Sequence, residues 1–301
     1  MKNLLQLTKL ELKSFFNSFD TVLCDCDGVL WFMKTPFEGV KEGLAALKQN
    51  GKNVYFVSNN STHGAKPILR LLNNFDSNFK EYDFVIPSQA MISYFKEINM
   101  KKKLFIMGTD DMKQDFVDAG FSLAQTDDID VTKTTYDFIK GEKPDEDVGA
   151  CILDVDLKIN YAKLTKTTAY LQNEDVLFVV GASEKCIPIS KGKSLIGPCY
   201  FEEIIEDITN RKSLRFGKPS LHYNKFIQKK YNICESSRVL FIGDSMEQDI
   251  RFGLNSGYQT LLVLTGLTKL EDIKDQKNSL PNYYINSLAD FHYLIKNNVD
   301  A

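Results

Sequence analysis

The sequence predicts an α/β fold in which a doubly wound parallel sheet is covered by helices, and three observations support this prediction. Short apolar runs alternate along the chain with segments whose apolar residues recur every three or four positions. The runs are apolar throughout, without alternating polar residues, which is typical of strands that are buried on both faces. The chain has 301 residues, which is enough for one large domain or two modest ones.

The elements follow one another in strand–helix order. Residues 1–19 predict an amphipathic helix, because leucines and phenylalanines are spaced helically among lysine and glutamate. The run TVLC at 21–24 predicts the first strand, and NVYFVS at 53–58 predicts the second. Further strands are predicted at 84–86, 104–107, 150–153, 176–180, 214–216, 239–242 and 260–264. Helices are predicted between them at 39–49, 65–74, 88–98, 111–119, 161–171, 200–209, 221–231 and 246–255.

Composition and charge argue against several classes of function. With a formal net charge of −3, no general attraction to nucleic acid or to an anionic membrane is expected. No secretory signal is visible, and no stretch approaches the roughly 20 apolar residues that span a bilayer. The six cysteines are scattered and form no CxxC pair, which argues against a zinc site. A reducing, cytoplasmic setting with free thiols is expected.

Polar residues collect at the predicted carboxyl ends of four strands, where ligands of parallel α/β sheets bind. They are Asp25 and Asp27 after the first strand, Ser58, Asn59 and Asn60 after the second, Lys218 after strand 214–216, and Asp244 with Asp249 after strand 239–242. Taken singly, such residues are typical of turns, helix caps and plain loops. Their occurrence at four strand ends in this order predicts an active site.

These residue types predict phosphate chemistry assisted by magnesium. Neighbouring acids repel each other and need a cation, and oxygen ligands without histidine or cysteine favour Mg²⁺. Magnesium in turn favours a substrate that carries phosphate, and a lysine and a hydroxyl suit the remaining phosphate oxygens. Asp25 is the candidate nucleophile, since an ordinary carboxylate is ionised at neutral pH and can form an acyl phosphate that water then cleaves. Asp27 is the candidate general acid and base, because a residue two positions on can face the same side.

Four motifs carry a resemblance to a known family. They are DCDGVLW at 25–31, VSNNS at 57–61, FGKPS at 216–220 and GDSMEQD at 243–249. In their order and spacing the chain resembles the phosphatases of the haloacid dehalogenase (HAD) superfamily. Within it, the chain is similar to the group of 4-nitrophenylphosphatases, pyridoxal phosphatases and phosphoglycolate phosphatases.

The resemblance implies a role for each matched position. Asp25 would be nucleophile and metal ligand, and Asp27 would be acid and base with its backbone carbonyl on the metal. Ser58 and Lys218 would hold the phosphoryl group, with Asn59 and Asn60 close by. Asp244 would be a metal ligand, and Asp249 would support the metal and its waters.

The resemblance also implies a domain plan. Residues 1–100 and 211–301 would form a Rossmann-like HAD core, and residues 101–210 an inserted α/β cap that selects a small phosphorylated metabolite. Homodimers formed through the cap would be expected. The cap motif departs from the common Thr-Asn-x-Asp, because this chain has Gly181-Ala-Ser-Glu184, so a particular substrate does not follow.

Two alternatives to this phosphatase stay open. One is a catalytically weak or silent binding or scaffold protein that keeps the fold, although clustered acids argue against it. The other is an enzyme with a different reaction, either phosphotransfer or dehalogenation, the latter disfavoured by Asp27.

Overall fold

The computed structural model describes residues 1–60, 62, 64–76, 78–126, 144–190, 192–273 and 280–298. The chain divides into two compact units. The first comprises Met1–Ser58, Lys66–Val85 and Lys218–Ala301, and the second comprises Asn59–Ala65 and Ile86–Gly217. The division assigns residues 59–65, 86–100 and 211–217 to the second unit, whereas the predicted core comprises residues 1–100 and 211–301. That the second unit serves as a cap remains a prediction.

The first unit is built on a seven-stranded sheet in which every neighbouring pair is parallel. Across the sheet the strands are Lys2–Asn3, Tyr283–Ile285, Gln259–Val263, Val239–Gly243, Thr21–Cys24, Asn53–Val57 and Phe84–Val85. Apart from the edge strand Lys2–Asn3, chain order runs outward in both directions from the central pair Thr21–Cys24 and Val239–Gly243. This pair is therefore the topological switch point, where a crevice opens beyond the strand ends.

Burial explains why these segments are strands. Val22, Leu23 and Cys24 are fully buried, as are Leu240, Phe241 and Ile242 on the neighbouring strand. Continuous burial of this kind requires helical cover on both faces of a parallel sheet. The helices of this unit are Lys9–Asn17, Val40–Gln49, Ala65–Leu72, Leu221–Tyr231, Arg251–Asn255, Leu270–Ile273 and Asp290–Asn298. A two-stranded hairpin, Trp31–Phe32 with Thr35–Pro36, follows the first central strand.

The second unit has its own four-stranded parallel sheet. Its strands are, in order across the sheet, Leu214–Arg215, Leu177–Val180, Val148–Leu153 and Lys103–Met107. Its helices are Pro87–Glu97, Asp110–Asp118, Tyr161–Tyr170 and Pro198–Thr209. A separate antiparallel hairpin pairs Cys186–Ser190 with Lys193–Ile196.

These sheets confirm the predicted α/β class with its mostly parallel sheet. The amino terminus differs from the prediction, because the single helix expected within residues 1–19 begins only at Lys9. Before it, Lys2 and Asn3 pair with the strand Tyr283–Ile285. Thr8 and Glu11 form a capping box that fixes the start of the helix.

The described residues bear on membrane spans and on the state of the cysteines. No helix among them is both long and apolar enough to cross a bilayer. All six cysteines lie in the described part of the chain, and all are free.

Candidate active site

The two central strands of the first unit deliver two aspartates to neighbouring positions. Cys24 pairs with Ile242 in the sheet register. The backbone N–H of Asp25 donates to the carbonyl of Ile242 at 2.8 Å, which continues the ladder by one residue. Asp244 follows the neighbouring strand directly. The sheet itself therefore places Asp25 beside Asp244.

Three buried carboxylates meet at this edge of the sheet. Asp25, Asp244 and Asp249 each offer one oxygen, and these oxygens lie within 4.8 Å of one another. The side chains of Asp25 and Asp249 are 9% and 2% exposed, and the residue Asp244 is 3% exposed. No other group of three or more potential metal-binding side chains occurs in the described residues.

The hydrogen bonds divide these acids into two kinds. Asp249 uses both oxygens on protein donors, because Oδ1 accepts from the Lys218 ammonium at 2.8 Å and Oδ2 accepts from the backbone N–H groups of Asp244 and Ser245 at 3.1 and 3.0 Å. Asp25 and Asp244 each have one oxygen that accepts a bond from the described residues and one that does not. Asp25 Oδ2 and Asp244 Oδ1 are therefore the atoms suited to a ligand, and Asp249 is suited to a supporting position.

Lys218 is the cation of the cluster. Its Nζ lies 2.5 Å from Asp25 Oδ1 and 2.8 Å from Asp249 Oδ1, and it also donates to the carbonyl of Val57 at 3.0 Å. Burial alone would lower the pKa of Lys218, but the charges of Asp249 and Asp25 outweigh it and raise the pKa well above the usual range. The ammonium therefore stays charged in the buried site.

Burial raises the pKa values of the carboxylates, whereas it lowers that of a lysine. It raises the pKa of Asp25 well above its ordinary value, the Lys218 charge opposes this, and the charges of Asp249 and Asp244 add to it. The pKa of Asp244 rises to about 7, chiefly through burial and secondly through the charge of Asp249. Without a further cation the two acids hold their protons more tightly than ordinary carboxylates do.

The charges and ligand atoms fit a magnesium ion. When all three buried carboxylates are ionised, they leave two net negative charges against the Lys218 ammonium, which one divalent cation would balance. Among the described residues the donors grouped here are carboxylate oxygens, with no histidine or thiolate, and such a set suits Mg²⁺. Asp25 and Asp244 would hold the ion.

Asp27 lies outside this cluster. Its side chain is exposed, and its Oδ1 accepts a hydrogen bond from the indole Nε1 of Trp31 at 3.0 Å. The indole is buried and stacks on Phe75 with ring centroids 6.0 Å apart. Gly28 follows with a φ of +86°, and a Cβ there would collide with the Asp244 carboxylate. The turn therefore requires glycine at position 28. The hydrogen bond from Trp31 restrains the carboxylate of Asp27.

The predicted phosphate-binding residues fall in both units. Ser58 ends the strand Asn53–Val57 in the first unit, is buried, and donates its backbone N–H to the carbonyl of Val85 at 3.0 Å. Asn59 and Asn60 belong to the second unit. The Asn59 amide donates to Glu184 Oε1 at 3.0 Å, and Asn60 Oδ1 accepts from the backbone of Thr62 at 3.0 Å. Their role in binding phosphate stays a prediction.

A fifth strand end contributes to the site, and the sequence analysis did not identify it. After the strand Gln259–Val263, the Thr265 hydroxyl donates to the carbonyl of Gly28 at 2.6 Å, and the Leu267 N–H donates to Asp244 Oδ2 at 2.6 Å. A Cβ on Gly266 would collide with the same carboxylate. The rule that polar residues after a parallel strand are candidates applies to this strand as well, so the signal was present.

Comparison with known proteins gives matches over most of the chain. A model of the haloacid dehalogenase-like hydrolase family matches residues 22–122, and a second model of HAD-like hydrolases matches residues 215–291. The 4-nitrophenylphosphatase of Schizosaccharomyces pombe is 30% identical over 93% of this chain and 95% of its own. Phosphoglycolate phosphatase 2 of Arabidopsis thaliana is 29% identical over 96% of this chain and 98% of its own. The crystal structure of 4-nitrophenylphosphatase from Thermotoga maritima shares the fold, with a TM-score of 0.78, 22% identity and coverage of 92% of this chain and 98% of that one.

Proposed function

The chain belongs to the haloacid dehalogenase-like hydrolases and is a hydrolase of phosphoric monoesters, and we propose that it is a magnesium-dependent phosphatase acting through an aspartyl-phosphate on Asp25. The observation that carries this proposal is the buried cluster of Asp25, Asp244 and Asp249 around Lys218. With its acids ionised the cluster carries two net negative charges, and Asp25 and Asp244 each keep one oxygen that accepts no hydrogen bond from the described residues, which suits a divalent cation.

The first half of the proposed reaction rests on Asp25 and Lys218. When bound, Mg²⁺ would neutralise charge on the phosphoryl oxygens and keep the Asp25 carboxylate ionised. An oxygen of Asp25 attacks phosphorus as the bond from phosphorus to the leaving oxygen breaks, which leaves the phosphoryl group on Asp25. Lys218 Nζ lies 2.5 Å from Asp25 Oδ1, so its positive charge lies beside the nucleophile, where it helps to keep the carboxylate ionised and can balance charge on the phosphoryl group that Asp25 receives.

The proton transfers are assigned to Asp27. It gives a proton to the leaving oxygen and then removes one from the water that attacks phosphorus, after which phosphate leaves and Asp25 is restored. The hydrogen bond from Trp31 orients its carboxylate. We assign the binding of phosphoryl oxygens to Ser58, Asn59, Asn60 and Lys218.

The proposed substrate is a small phosphorylated metabolite, in a reducing cytoplasmic setting that suits six free thiols. By their names, the relatives described above act on phosphoglycolate and 4-nitrophenyl phosphate, and both compounds are small monoesters. Glu184 lies in the motif Gly181–Glu184, where the sequence departs from the family pattern, so the substrate of a relative cannot be assumed for this chain. A screen of small phosphate monoesters with the purified protein would identify the substrate.

Release of 4-nitrophenol from 4-nitrophenyl phosphate tests the proposal. We expect turnover with Mg²⁺, none in EDTA, and none for Asp25→Asn, because an amide does not replace a carboxylate nucleophile. Asp111→Asn, a change of the same chemistry at an exposed site, should keep wild-type turnover. Substantial turnover by Asp25→Asn would exclude the mechanism, and an inactive wild type would favour a silent binding protein. Transfer of phosphate to an added alcohol would reveal a phosphotransferase.

We also propose that two copies associate through the second unit. The helix Pro198–Thr209 exposes Tyr200, Ile204 and Ile208, which recur every four residues and form one apolar stripe. The hairpin ahead of it ends at Ile196, which is 69% exposed. A hairpin of only two strands is marginally stable in water, so this surface suits a covering partner.

Charge favours a second copy as that partner. Glu203 and Asp207 are exposed on the same helix, whereas the hairpin carries the exposed Lys193 and is preceded by the exposed Lys185. A two-fold interface brings the same surface of both subunits together, so the acidic helix of one can face the basic hairpin of the other. This arrangement gives a self-complementary surface.

The oligomeric state tests this proposal by sedimentation velocity. We expect a wild-type dimer and an Ile204→Glu monomer, since a charge in the stripe would lose its water on association. Leu157→Glu is the matched control, because Leu157 is exposed elsewhere in the same unit. A monomeric wild type, or a dimer that survives Ile204→Glu, would contradict the assignment.

A further inference from the structure

We propose that Tyr223 is a positioning residue of the active site, which orients the peptide of Ser58 toward the phosphoryl group. The inference rests on the proposed phosphatase function. Tyr223 lies on the helix Leu221–Tyr231, which begins three residues after Lys218. It joins two strand-end motifs of the first unit that are far apart in the sequence.

The contact is a single buried hydrogen bond. The Tyr223 hydroxyl donates to the carbonyl oxygen of Ser58 at 2.8 Å, and the tyrosine is fully buried. Its ring packs near Phe252, with centroids 6.1 Å apart. Burial raises the pKa of Tyr223 well above its usual range, so the hydroxyl keeps its proton and remains a donor.

This bond completes a set of restraints on the end of the strand Asn53–Val57. The Ser58 N–H donates to Val85, and Lys218 donates to the carbonyl of Val57 at 3.0 Å. The carbonyl of Ser58 is the group that Tyr223 restrains. In a planar trans peptide the C=O and the following N–H point in opposite directions, so fixing the carbonyl also fixes that N–H. The backbone N–H of Asn59 is thereby held in one orientation.

Loss of the hydroxyl should act on phosphate binding and on turnover together. Tyr223→Phe keeps the ring and its packing but removes the hydroxyl that donates to the Ser58 carbonyl. The peptide loses this restraint, and a misplacement of about 1 Å at a reacting group can cost roughly 100-fold in rate. We expect kcat/KM for 4-nitrophenyl phosphate to fall by roughly 10- to 100-fold. The inhibition constant of inorganic phosphate should rise, while the Mg²⁺ concentration for half-maximal activity should stay within about twofold of wild type, since the acids are untouched.

Tyr231 provides the matched control on the same helix. Its hydroxyl donates to the carbonyl of Tyr82 at 3.0 Å, and it is also buried, but its hydrogen bond lies away from the proposed site residues. Tyr231→Phe should lose a comparable hydrogen bond and comparable thermal stability, and should keep kcat, KM and the phosphate inhibition constant.

The outcomes separate this inference from the proposed function. An active wild type whose Tyr223→Phe variant keeps its kinetic constants within about twofold would overturn the role of Tyr223 and leave the phosphatase intact. The role of Tyr223 is equally overturned if Tyr223→Phe and Tyr231→Phe change the constants to the same extent, since the effect would then be one of general stability. A wild type that neither hydrolyses 4-nitrophenyl phosphate nor binds inorganic phosphate in Mg²⁺ would overturn both.

Discussion

Replacing Asp244 with asparagine should stabilise the magnesium-free protein at alkaline pH and abolish its response to magnesium. Burial raises the pKa of Asp244 to about 7, with a further contribution from the charge of Asp249. Between about pH 4 and pH 7 the folded chain therefore binds more protons at Asp244 than the unfolded chain does. The free energy of unfolding must fall as the pH rises through this range. Asparagine carries no charge and keeps an oxygen that can accept from the Leu267 N–H.

The size of the effect follows from the two pKa values. At about 1.4 kcal/mol per pKa unit, a rise from 3.8 to about 7 corresponds to about 4 kcal/mol lost by pH 8. We expect Asp244→Asn in EDTA to be more stable than wild type by about 2–4 kcal/mol at pH 8, and by nothing at pH 4. Magnesium should largely cancel this difference, because at one hundred times its Kd it adds about 2.7 kcal/mol to the wild type and nothing to a variant that does not bind it.

Urea unfolding followed by tryptophan fluorescence measures both effects. The chain has one tryptophan, Trp31, which lies in the first unit and contacts Asp27, so the signal reports on the unit that holds the cluster. Glu38→Gln, which removes an exposed charge in the same unit, is the control for a lost surface charge. If Asp244→Asn is less stable than wild type in EDTA at pH 8, or gains as much from Mg²⁺, the assignment of Asp244 as a buried, destabilising metal ligand is wrong.

Three further changes test other contacts of the site. Trp31→Phe removes the indole N–H that donates to Asp27. With 4-nitrophenyl phosphate as substrate, kcat should fall roughly tenfold and KM should change less, and an unchanged kcat would contradict the orienting role of Trp31. Gly266→Ala places a Cβ against the Asp244 carboxylate and should raise the Mg²⁺ concentration for half-maximal activity by about 10- to 100-fold; titration of activity with Mg²⁺ checks this, and a wild-type curve would refute it. Lys218→Met should lower kcat/KM by a factor that corresponds to a few kcal/mol of transition-state stabilisation. It should also destabilise the fold, because the buried carboxylates lose the lysine charge that pairs with them. Wild-type kinetics would exclude Lys218 from the site.

The central strands could be predicted from sequence because their burial is continuous. The predicted strand 21–24 coincides with Thr21–Cys24, and the predicted 239–242 is one residue shorter than Val239–Gly243. The strand Lys2–Asn3 could not be predicted, because two residues carry no period and only their partner Tyr283–Ile285 makes them a strand. Edge strands of this kind are defined by tertiary contacts.

The sequence was sufficient to identify most residues of the site, but it did not predict which of their side chains contact one another. The strand-end rule identified Asp25, Asp244 and Lys218, which the structure brings together. It could not show that the Asp27 carboxylate would accept a hydrogen bond from Trp31 and would not belong to the carboxylate cluster. The turn between Asp27 and Trp31 contains Gly28 with a φ of +86°, a backbone conformation that an apolar pattern does not predict.

The buried charges give the strongest argument that this site evolved for chemistry and not for stability. Asp249 is fully hydrogen-bonded and paired with Lys218, so one acid and one lysine would make a balanced buried pair. Asp25 and Asp244 add two carboxylates whose pKa values burial raises, and each such group lowers the stability of the folded chain once it is ionised. A scaffold has no use for these two charges, and replacement by asparagine would relieve the cost at either position. Their presence is accounted for if a divalent cation and a phosphoryl group are the ligands that the site is built to bind.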